Sequence, residues 1–133
     1  MKTIELSITT GRRAGLFDLT AECARFVAGE IDGLLNVFVP HATCGLAILE
    51  LGAGSDMDLM AALDRLLPPD DSWVHRHGTP GHGRDHVLPA WISPSISVPV
   101  LGGRLALGTW QSIALVDTNV DNQQRTVQLT LVE

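Results

Sequence analysis

The chain has 133 residues, with 9 Lys and Arg against 15 Asp and Glu, and its formal net charge is −6 at pH 7. With 45% hydrophobic residues, a chain of this length buries enough surface for a core without disulfides. These values exclude general disorder and predict one domain over residues 1–133. The negative balance, without a run of Lys or Arg, predicts that neither nucleic acids nor acidic membranes are partners.

The cysteines and the N-terminal residues predict the cellular compartment of the protein. Cys23 and Cys44 form no C-x-x-C pair, which predicts a reducing compartment. No secretion signal is visible, and no apolar stretch approaches the ~18 residues needed to span a bilayer. We therefore expect a cytoplasmic protein.

The first predicted elements are a strand and a helix. Apolar residues alternate over 3–9, which is typical of a half-buried strand. Apolar residues at helical spacing then predict a helix over 19–31, with Asp18 or Thr20 as its N-cap. Gly33 ends this helix.

Two short strands and a second helix follow. Residues 34–39 and 46–51 are rich in β-branched and apolar residues, as buried strands are. Ser55 and Asp58 resemble a capping box for a helix with an apolar face, which Pro68 ends.

The second half of the chain is predicted to be one long loop followed by strands. Residues 70–85 are polar and contain several Gly and Pro, and long loops of this kind are usually functional or disordered. Beyond them, apolar alternation predicts strands over 96–101, 105–107, 113–116 and 126–132. The fold class is therefore α+β, with two main helices and mostly antiparallel strands.

Histidine is the residue type that points to chemistry. Four of the five histidines lie within twelve positions, at His75, His77, His82 and His86, while His41 follows a buried strand. Neutral imidazoles bind zinc and related ions and titrate near physiological pH. The spacing matches no zinc-finger or H-E-x-x-H pattern, and His77 and His82 fit a solvated loop equally well.

Glu50 and the segment 107–111 also stand out. Glu50 ends an apolar run, where a carboxylate can ligate a metal or orient an imidazole. Asp56 and Asp58 are explained more simply as residues of a helix start. Gly108 and Trp110 interrupt a strand, and the glycine suggests a bulge or a close approach, while composition favours a core position for Trp110.

These features together resemble the YjbQ-type secondary thiamine-phosphate synthase family. The matching pieces cover nearly the whole chain: 40–45, Glu50, 63–68, 73–75, His86, 92–100, 103–111, Asp117 and Arg125. The combination of Leu-Gly-Thr-Trp-Gln with the upstream His-x-Thr is specific. Arg76, His77, His82 and the single arginine in Gln-Gln-Arg depart from the family pattern.

The resemblance implies two packed sheets, a homotrimer and a histidine-rich site close to a subunit boundary. His41, His75 and His86 would hold a divalent metal, zinc or magnesium, or act as acid and base, with Glu50 beside them. Substrate contacts would come from Thr43, Thr109, Trp110, Gln111 and Arg125. The implied reaction joins a thiazole phosphate to a pyrimidine methyl diphosphate with loss of pyrophosphate.

Two other functions remain open for the same residues. One is a metal-dependent hydrolase of a small metabolite, in which the metal activates water. The other is a non-catalytic trimeric module that binds a ligand or metal for stability. In all three cases the partner is a small molecule or ion.

Overall fold

The computed structural model describes all residues, 1–133, and contains eight strands and four helices. The helices are α1 (Thr20–Val27), α2 (Ser55–Leu66), α3 (His82–Asp85) and α4 (Leu88–Trp91). The strands are β1 (Lys2–Thr9), β2 (Gly15–Asp18), β3 (Gly33–Phe38), β4 (Cys44–Leu49), β5 (Ser95–Leu101), β6 (Arg104–Leu105), β7 (Ser112–Asp117) and β8 (Gln124–Val132).

The strands form two antiparallel sheets. A five-stranded sheet has the order β1-β8-β3-β5-β6, and a three-stranded sheet has the order β2-β7-β4. This confirms the α+β class with mostly antiparallel strands in two sheets and two main helices. The helices α3 and α4 add one turn each.

The main core lies between the sheets because the strands of the larger sheet alternate. In β8, Val127, Leu129 and Leu131 are buried, while Gln128 and Thr130 face outward. The partner strands β3 and β5 contribute buried residues in the same way, and the inner face of β7 and β4 closes the layer. Period-two alternation is thus what places this core.

Helix α1 packs into the main core through Cys23, Phe26 and Val27. Asp18 Oδ1 accepts the N–H of Thr20 at 2.9 Å just before the helix begins. The predicted end at residue 31 was wrong, since the helix stops at Val27. The chain then turns at Gly29, whose φ of +79° a right-handed helix does not allow.

Helix α2 covers the outer face of the smaller sheet and makes a second core, formed by Leu63, Leu67, Leu88 and Val116. The predicted capping box was wrong. Ser55 is already the first helical residue, so its hydroxyl lies one position too late, and no side chain caps the helix.

The register of β4 against β7 fixes which loops share an end of the smaller sheet. Cys44 pairs with Asp117 at one end, and Leu49 pairs with Ser112 at the other. Short β2, which the sequence did not predict, pairs with β7 on its other side. No helix in the structure has the length and apolar character required to cross a membrane.

Candidate metal centre

Four imidazoles converge beside α3. His75 and His77 come from the segment before this helix, His82 begins it and His86 follows it. One ring nitrogen from each lies within 4.8 Å of those of the other three. The segment predicted as one long loop therefore folds back on itself and gathers all four of its histidines.

Local backbone geometry brings these rings together. His82 and His86 are four residues apart around one helical turn, which places both side chains on the same face. Gly83 lets the chain of His75 cross this turn closely, because a Cβ there would lie 2.5 Å from the His75 carbonyl oxygen. Any larger residue at position 83 would push His75 away.

Hydrogen bonds orient His82. Its Nδ1 lies 2.8 Å from Asp121 Oδ2, so Nδ1 carries the proton and donates it to the carboxylate. The lone pair of His82 Nε2 then faces the other rings, 2.9 Å from His86 Nε2. A carboxylate on the far nitrogen of a ligating histidine fixes its tautomer and raises its basicity.

Asn119 anchors the loop that carries Asp121. Its side chain is fully buried, and its Oδ1 accepts the backbone N–H groups of Asp121 and Asn122. Because Oδ1 also accepts from Arg125 Nη2 at 3.3 Å, the orientation of the amide is set. Its Nδ2 then donates to Asp85 Oδ2 at 3.1 Å.

A buried ion pair supports this network from the core side. Arg125 Nε lies 2.7 Å from Asp117 Oδ2, with both side chains almost wholly buried. Arg125 Nη2 also donates to Thr43 Oγ1 at 3.2 Å. Every buried side-chain polar atom in the protein has a partner, which is the condition for such a network to stabilise a fold.

The environment of the cluster favours the neutral form of His75 and His86. Desolvation, followed by repulsion from the neighbouring imidazoles, lowers the pKa of both His75 and His86. Desolvation raises the pKa of Asp121, but the hydrogen bonds from His82 and Thr79 together outweigh it and lower the pKa of that carboxyl. Neutral imidazoles and an ionised carboxylate are the forms that metal binding requires.

A cavity of about 290 Å³ opens on the cluster and has no hydrophobic lining residue. His75, His77 and His82 form part of its wall, and Asp71 and Arg76 contribute opposite charges. Arg76 Nε donates to the Trp73 carbonyl oxygen at 2.8 Å, which leaves the outer guanidinium nitrogens for an anion. The wall of this space is therefore polar and carries both signs of charge.

The donor set fits a divalent transition ion. Two nitrogens bound at about 2.05 Å lie about 2.9 Å apart at a right angle and about 3.3 Å apart at the tetrahedral angle. The 2.9 Å between His82 Nε2 and His86 Nε2 matches this range. Since 4.8 Å exceeds twice a zinc–nitrogen bond, at least one of the four rings must shift for all four to ligate.

The structure brings together His75 and His86 of the predicted centre but places His41 elsewhere. His41 Nε2 accepts the N–H of Thr126 at 2.9 Å, so its other nitrogen carries the proton. Neither nitrogen is then free to ligate. Desolvation, followed by the charge of Arg125, lowers the pKa of His41. Within the chain the structure does not bring His41 to His75 and His86, and His77 and His82 lie beside those two instead.

The remaining predicted residues lie in two places. Thr43 and Arg125 belong to the buried network behind the cluster, so neither is open to a substrate. Glu50 follows Leu49 and Gln111 precedes Ser112, which places them at the other end of the smaller sheet. Thr109 and Trp110 precede Gln111 there, and Trp110 is 73% exposed, not a core residue.

Sequence reasoning missed Asp85, Asn119 and Asp121. Burial raises the pKa of Asp85, although hydrogen bonds from Thr118 and Asn119 oppose that shift. Two features of the sequence could have predicted this part of the site. The spacing of His82 and His86 is that of two ligands on one helix face, and an Asp- and Asn-rich run follows the buried strand β7.

The fold and the cluster together describe a small antiparallel α+β protein with four imidazoles beside a polar cavity. The chain belongs to the UPF0047 family, since the model of that family, described as UPF0047 protein YjbQ-like, matches residues 4–133. The resemblance noted from the sequence is thereby confirmed at the level of the family.

Relatives of known sequence and structure agree with this assignment. A UPF0047 protein of Mycobacterium tuberculosis is 56% identical over 133 residues, covering 100% of this chain and 99% of the relative. One of Archaeoglobus fulgidus is 31% identical over 124 residues, covering 93% and 97%.

The structural neighbours agree as well. The crystal structure of a hypothetical protein from Aeropyrum pernix matches with a TM-score of 0.90 and 32% identity, covering 99% and 98% of the two chains. A YbjQ-like protein of unknown function from Sulfolobus solfataricus, at 24% identity over 98% and 95%, has a TM-score of 0.90 and shows the shared fold alone.

Proposed function

We propose that this protein is a metal-dependent enzyme that hydrolyses a small anionic metabolite. The observation that carries the proposal is the cluster of four imidazoles, whose ring nitrogens lie within 4.8 Å of one another and three of which line a polar cavity. A bound divalent ion would supply Lewis-acid polarisation of a substrate oxygen and would acidify water. An all-nitrogen donor set suits zinc and disfavours magnesium, which prefers oxygen.

We propose that His75, His82 and His86 hold the ion and that His77 transfers protons. A catalytic zinc site uses three protein ligands and keeps an open position. The His77 and His86 ring centroids are 6.1 Å apart, the largest separation among the six ring pairs, and of these two His86 is the one whose Nε2 lies at ligand spacing, 2.9 Å, from His82 Nε2. His77 is also exposed at the cavity, where its ring nitrogens can reach a substrate.

Arg76 and Asp121 have supporting roles in this proposal. Arg76 would bind the anionic group of the substrate, since it lines the cavity and its only hydrogen bond within the chain is made by Nε. Asp121 holds the Nδ1–H of His82, which keeps the Nε2 lone pair aimed at the ion. Neither residue needs to change protonation during the reaction.

The thiamine-phosphate synthase reaction that the resemblance implies is the second candidate. Arg76 favours it, because a guanidinium beside the cluster would stabilise pyrophosphate as it leaves. The same resemblance also implies a homotrimer, which we propose here. Exposed Trp110 and Trp91 are apolar surface that a subunit contact would cover, and light scattering would then give about three times 14.3 kDa.

A set of histidine variants tests the proposal. Metal content is measured on wild-type protein and on His86→Ala, His77→Gln and His41→Ala, followed by assays with phosphomonoesters and with the two thiamine precursors. We expect His86→Ala to lose zinc and activity, His77→Gln to keep zinc and lose activity, and His41→Ala to keep zinc.

The outcomes separate the three functions. Turnover of a phosphomonoester without the thiamine precursors supports the hydrolase, and turnover of both precursors alone supports the synthase. If His77→Gln loses zinc like His86→Ala and no substrate reacts, the centre is a closed, non-catalytic metal site. Wild-type protein that binds no transition ion would overturn the proposal.

A further inference from the structure

The segment that brings His75 and His77 to the cluster has one anchoring side chain. Every residue from 69 to 80 is exposed except Trp73, whose side chain packs against the second core. Trp73 does not line the cavity, although Asp71 and all residues from 75 to 80 do. The indole therefore faces the core while its neighbours in sequence face the cavity.

Two hydrogen bonds fix the chain on either side of Trp73. Its indole Nε1 donates to the Pro68 carbonyl oxygen at 2.9 Å, just after α2 ends. Its own carbonyl oxygen accepts a hydrogen bond from Arg76 Nε at 2.8 Å. The first bond sets where the segment leaves α2, and the second folds it back three residues later. The places of His75 and Arg76 are thus both set from Trp73.

Helix α3 lies directly against Trp73 and the backbone of His75. A Cβ at Gly83 would lie 3.0 Å from Trp73 Cγ and 2.5 Å from the His75 carbonyl oxygen. Gly83 is next to His82, whose ring is stacked with that of His75 at a centroid distance of 5.5 Å. A displacement of the indole would therefore move His75 relative to His82.

The far end of the segment is held less firmly. Thr79 bonds to Asp121 through its side chain and through its N–H, but the N–H lies 3.4 Å from Oδ2, outside the usual range of about 2.7–3.2 Å. Thr79 is exposed, so water competes for these bonds. An indole packed on a core and bonded at 2.9 Å stabilises the segment more.

We propose that Trp73 is a positioning residue of the metal centre. It touches neither the ion nor the substrate, and it acts by holding His75 as a ligand and Arg76 as the anion contact at fixed places on the cavity wall. The inference rests on the proposed function for the roles of those two residues. The placement of His75 beside His86, with ring centroids 4.2 Å apart, depends on no metal.

The test compares wild-type protein with Trp73→Leu, Trp73→Phe and Leu59→Ala. Leu59 is the matched control, because it packs against the same core from α2 and does not line the cavity. In metal-free protein, nuclear Overhauser effects between the rings of His75 and His86 report their separation. Titration with Co²⁺ then gives the metal affinity, and the visible absorption of the bound ion reports its coordination geometry. Urea unfolding is measured on each protein.

We expect Trp73→Leu to lose the ring-to-ring signals and to bind Co²⁺ about tenfold or more weakly, with a changed spectrum because one imidazole no longer ligates. Trp73→Phe keeps the packing but loses the N–H donor, and should weaken Co²⁺ binding about fivefold. Leu59→Ala should lower the urea midpoint and leave the ring signals and the Co²⁺ affinity as in wild type.

Three results would each overturn the inference: ring-to-ring signals that persist in Trp73→Leu, an unchanged Co²⁺ affinity in Trp73→Phe, or an equal loss of both readouts in Leu59→Ala. If the ring signals behave as expected but wild-type protein binds no Co²⁺, the positioning of His75 by Trp73 stands and the hydrolase proposal falls.

Discussion

The carboxylate of Asp121 should set the metal affinity of the cluster. Replacing it by Ala leaves the Nδ1–H of His82 without its acceptor, so the ring can rotate and Nε2 no longer points at the ion. Loss of such an outer partner costs 10–100-fold in metal affinity in general. Because the Asp121 side chain is 26% exposed, water replaces part of the lost bond, and we expect a value of about tenfold.

This magnitude predicts a thermal shift. At free zinc equal to about 100 times the wild-type dissociation constant, binding stabilises the fold by about 2.7 kcal/mol. A tenfold weaker site retains about 1.4 kcal/mol under the same conditions. The difference of about 1.3 kcal/mol corresponds to roughly 4–6 °C in melting temperature for a chain of this size.

The assay compares melting of Asp121→Ala, Asp121→Asn and Asp71→Asn with and without zinc. Asp71 is the matched control, since its carboxylate lines the same cavity and bonds to none of the imidazoles. Asp121→Asn keeps an acceptor oxygen without the charge and should fall between wild type and Ala. Equal zinc shifts in wild type and Asp121→Ala, or an equal loss in Asp71→Asn, would refute this account of how His82 is oriented.

Three further perturbations follow from the same region. Gly78→Ala should weaken zinc binding more than Gly52→Ala. Both glycines have a positive φ, but only at Gly78 would a Cβ lie 2.5 Å from Asp121 Oδ2, and equal zinc affinities of the two variants by calorimetry would contradict this. Arg125→Met should lower the free energy of unfolding in urea by about 3–5 kcal/mol, because it leaves Asp117 buried and charged. The double variant with Asp117→Leu should regain much of that stability, and no regain would contradict the role given to the ion pair. The pKa of His86 is lowered from 6.5, so below that pH the unfolded chain binds more protons and the metal-free protein loses stability as the solution is acidified. His86→Gln should show a smaller loss in urea midpoint between about pH 8 and about pH 5, and an identical loss would exclude this cause.

The larger sheet was predictable because its strands repeat one local pattern. In β8, alternation alone identifies the buried residues, and pairing with β1 and β3 changes nothing in that pattern. Helix α2 was predictable for the same reason, from its apolar face. Its N-cap was not, since Gly54 starts the helix from a left-handed conformation that the Ser55–Asp58 spacing does not reveal.

The candidate site was predictable only in part. His75 and His86 could be named from residue type and resemblance, but their convergence with His77 and His82 depends on a chain reversal between them. His41 shows the limit of such reasoning. It lies after a buried strand, as a ligand might, yet a backbone N–H occupies its Nε2. A hydrogen bond between positions 85 residues apart cannot be predicted from the local sequence around either residue.

The position of the cluster follows from where the strands end. β7 ends at Asp117, and the next residues must satisfy their backbone groups without a sheet partner, which the Asn119 amide does for Asp121 and Asn122. The same amide contacts Arg125, so the loop that orients His82 is fixed to the charged pair in the core. His82 is thus held by a loop that is fixed to the core of the smaller sheet, whereas His75 and His77 come from an exposed segment. If the exposed segment opened, His82 would keep its position, so a metal held by the cluster would be released and rebound through His75 and His77.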